Sequence, residues 1–485
     1  MEFVFQTGLL QRYERHYETI GKKTPAMFEA LREAIVTGAI PGGARLPSTR
    51  GMAAWYGLSR GSVNIAYEML AAEGYVGART GSGTYVTYAP AVLRAPGKRA
   101  DEAVPVLAPW AMRLSEVPDR HGGAASEIDL NPGLADAGLF PTDAWKRVMY
   151  EEVRRFAGRQ YEDAFVPEGH MPLREAIAQH LVRERGIATT PDQVVITNGS
   201  MQAIALLCML LVREGDPVVI ENPSYAGIVR GVRTAGGLPV PARTDPEGIV
   251  PQPWDARLLF VTPGRQFPTG AVLSPARRKQ LIEWASERGA YIVEDDYDSE
   301  FRWGGRPVEP LKTLDREGRV VYLGSFSKTI ASDLRIGYAV VPQALAEPFR
   351  RAKYWIEPHP SAIMEQRALA RFMAEGGYAR HLRAMQRAIG RRLAAFRLAL
   401  QDAVGDDFEL YPSDAGLQLF ARWRGEAEAY KRLKREAGAL GVTWADGSSY
   451  WWHGEGPASA LFGFAHLPEE TLAEAVRRIG AALDK

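Results

Sequence analysis

Residues 320–338 read VVYLGSFSKTIASDLRIGY. The β-branched start of this stretch is typical of a short buried strand, and the Gly-Ser pair after it indicates a turn. Lys328 lies just past that turn, its neighbours Ser325 and Ser327 carry hydroxyl groups, and Arg335 follows. Hydroxyl groups with one arginine suit a phosphate, and a lysine whose pKa is lowered can act as a nucleophilic amine. Taken alone, the stretch also fits a surface lysine beside a polar turn.

A second strand end strengthens the first interpretation. Residues 291–293 predict a buried strand, which runs into Glu294, Asp295, Asp296, Tyr297 and Asp298. Carboxylates at the carboxyl end of a strand lie where open α/β sheets bind ligands. A strand-end Asp together with a Schiff-base lysine is what pyridoxal 5′-phosphate requires, because the carboxylate keeps the ring nitrogen protonated. Tyr297 could reach the phenolic oxygen of the ring. The simpler alternative is an acidic loop solvated at the sheet rim.

Three motifs carry a family resemblance: EDDYDSEF at 294–301, GSFSKT at 324–329 and LRIGY at 334–338. They resemble the MocR-type regulators of the GntR superfamily, over nearly the whole chain. The resemblance implies a multidomain protein, an α+β winged helix-turn-helix followed by an α/β fold-type I domain of the aspartate aminotransferase kind. That second domain depends on pyridoxal phosphate and has a large and a small lobe.

The N-terminal part agrees with this resemblance. A helix opened by Pro25 is followed by LPSTRGMAAWYGLSRGSVNIAYEMLAAEGY at 46–75, which predicts two helices with a turn at Gly57. Ser59 is placed to cap the second helix, which we expect to run to about Glu73. Helix, turn and helix together outline a DNA-binding motif. The segment TGSGTYV at 80–86 predicts the two strands of a wing.

The candidate DNA contacts lie at the helix starts and in the wing. They are Arg45, Ser48, Arg50, Ser59, Arg60, Ser62, Gly81 and Gly83. Arginines supply phosphate contacts, which dominate affinity, and the first turn of a recognition helix touches base edges. The alternative is an ordinary helical hairpin with solvated arginines. The GntR-type pattern favours the DNA-binding interpretation over this alternative.

The candidate cofactor contacts are spread along the second domain. A strand at 194–197 turns at Gly199, Ser200 and Met201 into a helix, whose free N–H groups make an anion site. The resemblance places Tyr225 against the pyridine face. The full set is Gly199, Ser200, Met201, Tyr225, Asp295, Tyr297, Ser325, Ser327, Lys328 and Arg335, with Lys328 as the catalytic, Schiff-base residue.

We divide the chain into a DNA-binding domain at 1–88, a linker at 89–125 and an effector domain at 126–485. The linker is punctuated by prolines, and its apolar residues suggest that part of it docks on another surface. The large lobe is expected at about 150–350 and the small lobe at about 360–485, beginning with a long helical region.

Four positions depart from the family pattern. Phe267 stands where transaminases carry an asparagine. Arg265 stands where the regulators commonly carry a histidine and is an unusual charge on the substrate side, and the tyrosine that the family often places before Gly169 has no clear counterpart. Leu461 stands where the resemblance places the arginine that binds the substrate α-carboxylate, and an apolar side chain cannot make that contact. Efficient transamination of α-amino acids is therefore not expected, although Arg265 could bind a carboxylate from the opposite side.

Composition adds exclusions. The single cysteine, Cys208, permits no disulfide or zinc site within the chain, which fits a reducing cytosol. No apolar run reaches the length of about 18 residues that a membrane span needs, and no signal peptide is evident. The net charge of +1 neither indicates nor excludes binding to nucleic acid, because a local basic patch can be balanced by acidic residues elsewhere in the chain. We expect a cytoplasmic protein without a metal site.

The leading hypothesis is a transcriptional regulator that binds operator DNA and senses pyridoxal phosphate, controlling vitamin B6 metabolism. The alternatives are a sensor of an amino compound that joins the cofactor, an active aminotransferase with a DNA-binding appendage, and a dimerisation module that keeps the lysine as a relic. The resemblance also implies a head-to-tail homodimer.

Overall fold

The computed structural model of the protein describes residues 2–79, 82–88, 106–115, 126–133, 136–156, 166–304, 308–412 and 414–484. The chain divides into two compact units, Met1–Val106 and Leu107–Lys485. None of the helices within those ranges is long and apolar enough to span a membrane.

In its described residues, the N-terminal unit contains four helices and one β-hairpin. These are α1 (Glu2–Ile20), α2 (Lys23–Val36), α3 (Thr49–Tyr56), α4 (Arg60–Ala72), β1 (Val76–Arg79) and β2 (Gly83–Val86). Helix α2 begins slightly before Pro25, which is tolerated because N–H groups in a first helical turn have no intrahelical acceptor anyway. The strands pair antiparallel, with Val76 opposite Val86. The predicted helix-turn-helix and wing are therefore confirmed.

Local chemistry sets the two helix boundaries in the motif. The Ser48 hydroxyl accepts the Gly51 N–H at 3.1 Å at the start of α3. Gly57 ends that helix with a left-handed φ of 61°, a conformation that glycine adopts without steric cost. The Ser59 hydroxyl then accepts the Ser62 N–H at 3.0 Å and caps α4 as predicted.

Most of the predicted linker lies outside the described residues. Its central part forms a short helix, α5 (Pro109–Ser115), which packs against the larger unit. Arg113 of this helix donates to the Glu214 carboxylate at 2.9 Å and to the Thr234 carbonyl at 3.3 Å. Trp110 remains about half exposed.

The larger unit holds two sheets with helices between and around them. Its further elements are β3 (Ile128–Leu130), α6 (Thr142–Phe156), α7 (Met171–His180), β4 (Val194–Thr197), α8 (Ser200–Leu211), β5 (Pro217–Asn222), α9 (Ala226–Thr234), β6 (Leu238–Asp245), β7 (Gly248–Ile249), β8 (Leu258–Val261), α10 (Pro275–Arg288), β9 (Tyr291–Asp295), α11 (Leu311–Leu314), β10 (Val320–Ser325), β11 (Gly337–Val340), α12 (Gln343–Ile356), α13 (Ile363–Ala374), α14 (Gly377–Val404), β12 (Phe408–Leu410), β13 (Gln418–Trp423), α15 (Ala427–Ala439), β14 (Val442–Asp446), β15 (Ser459–Gly463) and α16 (Glu469–Leu483).

The large-lobe sheet has the strand order β4-β11-β10-β9-β8-β5-β6-β7 among the described strands. The central strands run parallel, whereas β11 is antiparallel to both of its neighbours. Both faces are covered: Val218 of β5 packs with α8 and α9, and the next residue, Val219, packs with α10. This alternation explains why these strands read as continuous apolar runs, which are typical of parallel sheets buried on both faces.

The small-lobe sheet has the order β12-β13-β15-β14-β3. Its outermost strand, β3, comes from the beginning of the unit and pairs parallel with β14. Helices α14 and α16 cover this sheet through apolar side chains that include Phe396 and Ile479. The long helical region expected after Ser361 is two helices, α13 and α14, separated at Glu375 and Gly376.

Candidate functional site

Two parallel strands bring the predicted acid and the predicted lysine to one edge of the large sheet. Asp295 is the last residue of β9, and its partner in β10 is Leu323. Ser325 ends β10, and Lys328 lies in the turn that follows. Because the carboxyl ends of parallel strands meet at the same edge, the arrangement agrees with the ligand-binding edge expected from the sequence.

Asp295 carries an unpaired buried carboxylate. Its residual exposure is 9%, and no described residue donates a hydrogen bond to the carboxylate. Burial raises its pKa from the usual 3.8 to about 7, with further contributions from the negative charges of Asp296 and Asp298. A cationic group placed against this carboxylate would relieve both effects. The site therefore fits the protonated ring nitrogen of pyridoxal phosphate.

Lys328 is a partly buried amine. Its ammonium group donates a hydrogen bond to the backbone carbonyl of Gly133, in the segment that follows β3. Burial lowers the pKa of Lys328, and the carboxylate of Asp298 opposes that shift. A lowered pKa increases the fraction of unprotonated amine, which is the nucleophilic form.

The beginning of α8 has two features of an anion site, a helix N-terminus and a nearby guanidinium. Gly199 precedes the helix with φ 74°, and the Arg335 guanidinium donates to the Asn198 carbonyl at 3.1 Å. A Cβ atom on Gly199 would lie 2.9 Å from an Arg335 nitrogen, and the positive φ favours glycine at this position. Ser200 and Met201 form the first turn, where N–H groups lack intrahelical acceptors. A guanidinium beside a helix N-terminus is suited to an anion.

The two predicted hydroxyl residues lie at the end of β10. The Ser325 hydroxyl accepts the Ser327 N–H at 3.1 Å, which fixes the turn that carries Lys328. Both residues are partly exposed. Their contact with a phosphate stays a prediction.

Four aromatic side chains, including Phe267, form a cluster. Phe267 lies among three tyrosines and meets each of them edge to face. Its ring centroid is 5.8 Å from Tyr225, 5.8 Å from Tyr297 and 5.1 Å from Tyr450. The structure thus brings the predicted Tyr225 and Tyr297 together. Tyr450 was missed, and the aromatic triplet at 450–452 was the only available signal.

Arg265 is held in a buried ion pair. One terminal nitrogen lies 3.1 Å from both the Tyr297 hydroxyl and the Asp298 carboxylate. The other donates to the Gln418 carbonyl on β13 at 2.7 Å. Both terminal nitrogens are engaged within the chain, whereas Nε has no hydrogen-bond partner in the part of the chain that the structure describes. Contact of Arg265 with a substrate carboxylate from the opposite side stays a prediction. Its role in the structure is to connect the two lobes.

Leu461 lies in the middle of β15 and is fully buried. It pairs with Phe420 on β13 and with Ala445 on β14. Its side chain belongs to a small apolar cluster with Phe420 and Tyr450, against which Phe267 packs. The position where the resemblance predicts a carboxylate-binding arginine is therefore apolar in its surroundings as well as in its own side chain.

In the N-terminal unit, the predicted serines cap helices and the predicted arginines are exposed. Ser48 and Ser59 accept backbone N–H groups, and the Ser59 and Ser62 hydroxyls lie 2.8 Å apart. Arg50 and Arg60 are exposed in the first turns of α3 and α4.

Arg45 lies beside the wing. Its backbone forms an isolated antiparallel β-bridge with Tyr85. Its guanidinium lies against Gly83, where an added Cβ atom would be 2.8 Å from the Arg45 Nε. Gly81 lies outside the described residues. The structure therefore places one arginine at the wing and two at helix starts.

Sequence profiles of two families match the chain. "Bacterial regulatory proteins, gntR family" matches residues 24–86, and "Aminotransferase class I and II" matches residues 133–479.

Relatives and solved structures agree with the profiles. The chain is 36% identical to "Probable rhizopine catabolism regulatory protein MocR" of Rhizobium meliloti, over 94% of this chain and 92% of the relative. It is 30% identical to "HTH-type pyridoxine biosynthesis transcriptional regulator PdxR" of Corynebacterium glutamicum, over 94% of each chain. The crystal structure of a multiple substrate aminotransferase from Thermococcus profundus superposes with a TM-score of 0.69 and 26% identity, over 78% of this chain and 97% of that one.

These matches confirm the predicted fold: a GntR-type winged helix-turn-helix joined to a fold-type I aminotransferase domain. They span both units and nearly the full length of the two regulators. The chain belongs to the MocR-type transcriptional regulators of the GntR family.

Proposed function

We propose that this regulator binds pyridoxal 5′-phosphate through Lys328 and that cofactor occupancy changes its binding to operator DNA. The observation that carries the proposal is the unpaired, buried carboxylate of Asp295, one strand away from the Lys328 turn. The anion site at Gly199 and Arg335 supports it independently. The similarity to a regulator named for pyridoxine biosynthesis supports vitamin B6 metabolism as the controlled process.

Each side chain has a distinct task in this proposal. Asp295 would keep the proton on the ring nitrogen, and Arg335 with the first turn of α8 would hold the phosphate. The Lys328 amine would bond to the aldehyde carbon, helped by its lowered pKa. Tyr225 and Tyr297 would line the ring. When bound, the cofactor supplies an aldehyde that reacts with amines and a ring that withdraws electrons.

We favour sensing over transamination for this domain. Leu461 cannot make a bidentate contact with an α-carboxylate, and both terminal nitrogens of Arg265 bond to groups of the chain. An amino acid would lack the contact that fixes its orientation for proton transfer. A working aminotransferase with a DNA-binding appendage therefore remains the weaker candidate.

The partners follow from the two units. The regulator would bind double-stranded promoter DNA through the N-terminal unit and a small effector through the larger one. A head-to-tail homodimer, implied by the family resemblance, would present two DNA-binding units to two half-sites. Because its target is the genome, we place the protein in the cytoplasm.

Operator binding tests the sensing role directly. We would measure the affinity for the promoter upstream of its own gene with cofactor-free protein, with cofactor-loaded protein, and with added amino acids. A ligand shifts the equilibrium between two conformations of the regulator only if it binds those conformations with different affinity. We expect the cofactor alone to change affinity or footprint. A response to amino acids alone, with the cofactor inert, contradicts the proposal.

Lys328→Ala should abolish the covalent attachment of the cofactor. The wild-type protein should show a visible absorption band that borohydride removes while making the attachment of the cofactor permanent, whereas the variant should show no such band after gel filtration. Circular dichroism would check that the variant is folded. Retention of a reducible chromophore at wild-type stoichiometry would reject the assignment.

Arg60→Ala should weaken operator binding on the order of 1–3 kcal/mol, because the exposed first turn of α4 is where a recognition helix reads base edges. Arg60→Lys is the matched control, since lysine keeps the charge but not the bidentate geometry. We expect both variants to lose discrimination between the operator and a scrambled site. An unchanged affinity, or an equal loss on both DNAs, contradicts base reading.

A further inference from the structure

The turn that precedes α8 is tied to the end of α12 by one carboxylate. Glu357, the residue that follows α12, accepts hydrogen bonds from the Asn198 side-chain amide at 3.2 Å and from the Gln202 side-chain amide at 2.8 Å. Asn198 and Gln202 stand on either side of Gly199 in the chain. The separations from Glu357 are 159 and 155 residues, so only the fold brings this carboxylate to the turn.

The same two residues fix the backbone of the turn. The Gln202 side-chain carbonyl accepts the Asn198 N–H at 2.9 Å, so the side chain that Glu357 holds also holds the first residue of the turn. The Asn198 carbonyl in turn accepts from the Arg335 guanidinium at 3.1 Å. Through these bonds, Glu357 is connected to both features of the anion site, the start of α8 and Arg335.

The Glu357 carboxylate is ionised, and its charge is balanced by a neighbouring ammonium group. Burial works against the charged form, but hydrogen bonds from Ser361 and Gln202 outweigh burial and lower the pKa of Glu357 to about 2. The Lys353 ammonium lies 3.1 Å away, and the side chains of Lys353 and Glu357 are only 2% and 13% exposed. Because opposite charges compensate each other, the paired carboxylate repels an anion at α8 less than a free carboxylate would.

The turn needs such support because it contains a glycine. Gly199 has φ 74°, and glycine loses more conformational freedom on folding than any other residue. Backbone N–H groups at a helix start bind an anion only when they point at it together, and such precision comes from hydrogen bonds behind the ligand-binding groups. The bonds from Glu357 to the residues on both sides of Gly199 supply this order.

We propose that Glu357 is a positioning residue for the phosphate group of the cofactor, because it holds the turn so that the first N–H groups of α8 and Arg335 face one anion. The inference rests on the proposed function, since it names a further residue of the same cofactor site. In this arrangement Glu357 acts through the turn and has no contact with the cofactor. Its effect should therefore depend on whether the ligand carries a phosphate.

The test compares two ligands that share the aldehyde and the ring and differ by the phosphate: pyridoxal 5′-phosphate and pyridoxal. Each is titrated into the cofactor-free full chain, and absorbance gives the two dissociation constants. We expect Glu357→Ala to weaken the binding of pyridoxal 5′-phosphate by about tenfold, the lower end of the loss that follows when the partner of a ligand-binding group is removed. The binding of pyridoxal should not change.

Three further variants complete the test. Glu357→Gln keeps one acceptor oxygen, so its affinity for pyridoxal 5′-phosphate should lie between those of the wild type and Glu357→Ala. Glu347→Ala is the matched control and should leave both affinities unchanged, since Glu347 lies on α12 and pairs only with the surface arginines Arg350 and Arg351 among the described residues. If Glu357→Ala does not fold, Gln202→Ala breaks the same connection and should show the same selective loss.

The outcomes separate the inference from the function beneath it. A loss confined to pyridoxal 5′-phosphate supports the positioning role. If Glu357→Ala weakens both ligands equally, or weakens neither, the inference is wrong and the proposed function stands. If the wild-type protein binds neither ligand, the proposed function fails and the inference fails with it.

Discussion

Asp295→Asn should stabilise the cofactor-free protein above pH 7, by up to about 4 kcal/mol. The pKa of Asp295 is about 7 in the folded protein and 3.8 in an exposed chain. Between these values the unfolded chain releases its proton first, so the contribution of Asp295 to stability is present below pH 4 and is lost as the pH rises to 7. Asparagine does not ionise, and the variant therefore escapes this loss.

Urea unfolding of both cofactor-free proteins at pH 5 and pH 8 measures the effect. The variant should gain about 1.6 kcal/mol at pH 5, where the loss has begun, and about 4 kcal/mol at pH 8. Asp296→Asn is the control, because Asp296 is paired: it accepts from Arg185 at 2.6 Å and from Tyr322 at 2.6 Å. Breaking that pair should destabilise the fold. If Asp295→Asn shows the same pH dependence as wild type, Asp295 is not a buried unpaired acid.

The same substitution should weaken cofactor binding. A carboxylate that accepts a charge-assisted hydrogen bond contributes about 1.5–3 kcal/mol, which corresponds to about 10- to 100-fold in affinity. Absorbance titration with pyridoxal phosphate measures this loss. A variant that is more stable when empty and binds more weakly would show that the site keeps an unfavourable charge for its ligand.

Arg265→Met should destabilise the protein by about 3–5 kcal/mol at pH 8, because it leaves a buried carboxylate without its partner. The side chains of Arg265 and Asp298 are only 4% and 3% exposed. The loss should shrink at pH 5, since the pKa of Asp298 is already raised to about 6 by burial and protonation removes the uncompensated charge. Thermal or urea unfolding at both pH values measures it.

Two controls separate burial from charge. Arg302→Met breaks the ion pair between Arg302 and Asp414, whose side chains are 18% and 48% exposed, respectively. Because this pair is partly solvated, its loss should lower the free energy of unfolding by only about 0–1 kcal/mol. The double variant Arg265→Met, Asp298→Asn removes both charges and should recover part of the loss. If Arg265→Met costs no more than Arg302→Met, the buried pair does not stabilise the fold.

The sequence alone determined the elements whose signals are local. The strand and turn around Lys328, the acid at the end of the neighbouring strand, and the helix-turn-helix with its capping Ser59 were all predicted by residue number. Each depends on residues close together in the chain: a β-branched run, a glycine turn, or a hydroxyl three positions before an N–H group. The fold was predicted from family motifs, which can be recognised in the sequence because each lies within a short stretch of the chain.

Only the tertiary structure decided the contacts that join distant parts of the chain. The sequence offered Arg265 as a possible ligand contact, whereas folding places Gln418, 153 residues away, against it. Strand β3 pairs with β14, and Tyr450 meets Phe267, over similarly long separations. Side-chain pairing at such distances follows from the packing of two lobes rather than from local pattern, and here that packing decides which charges are free and which are already paired.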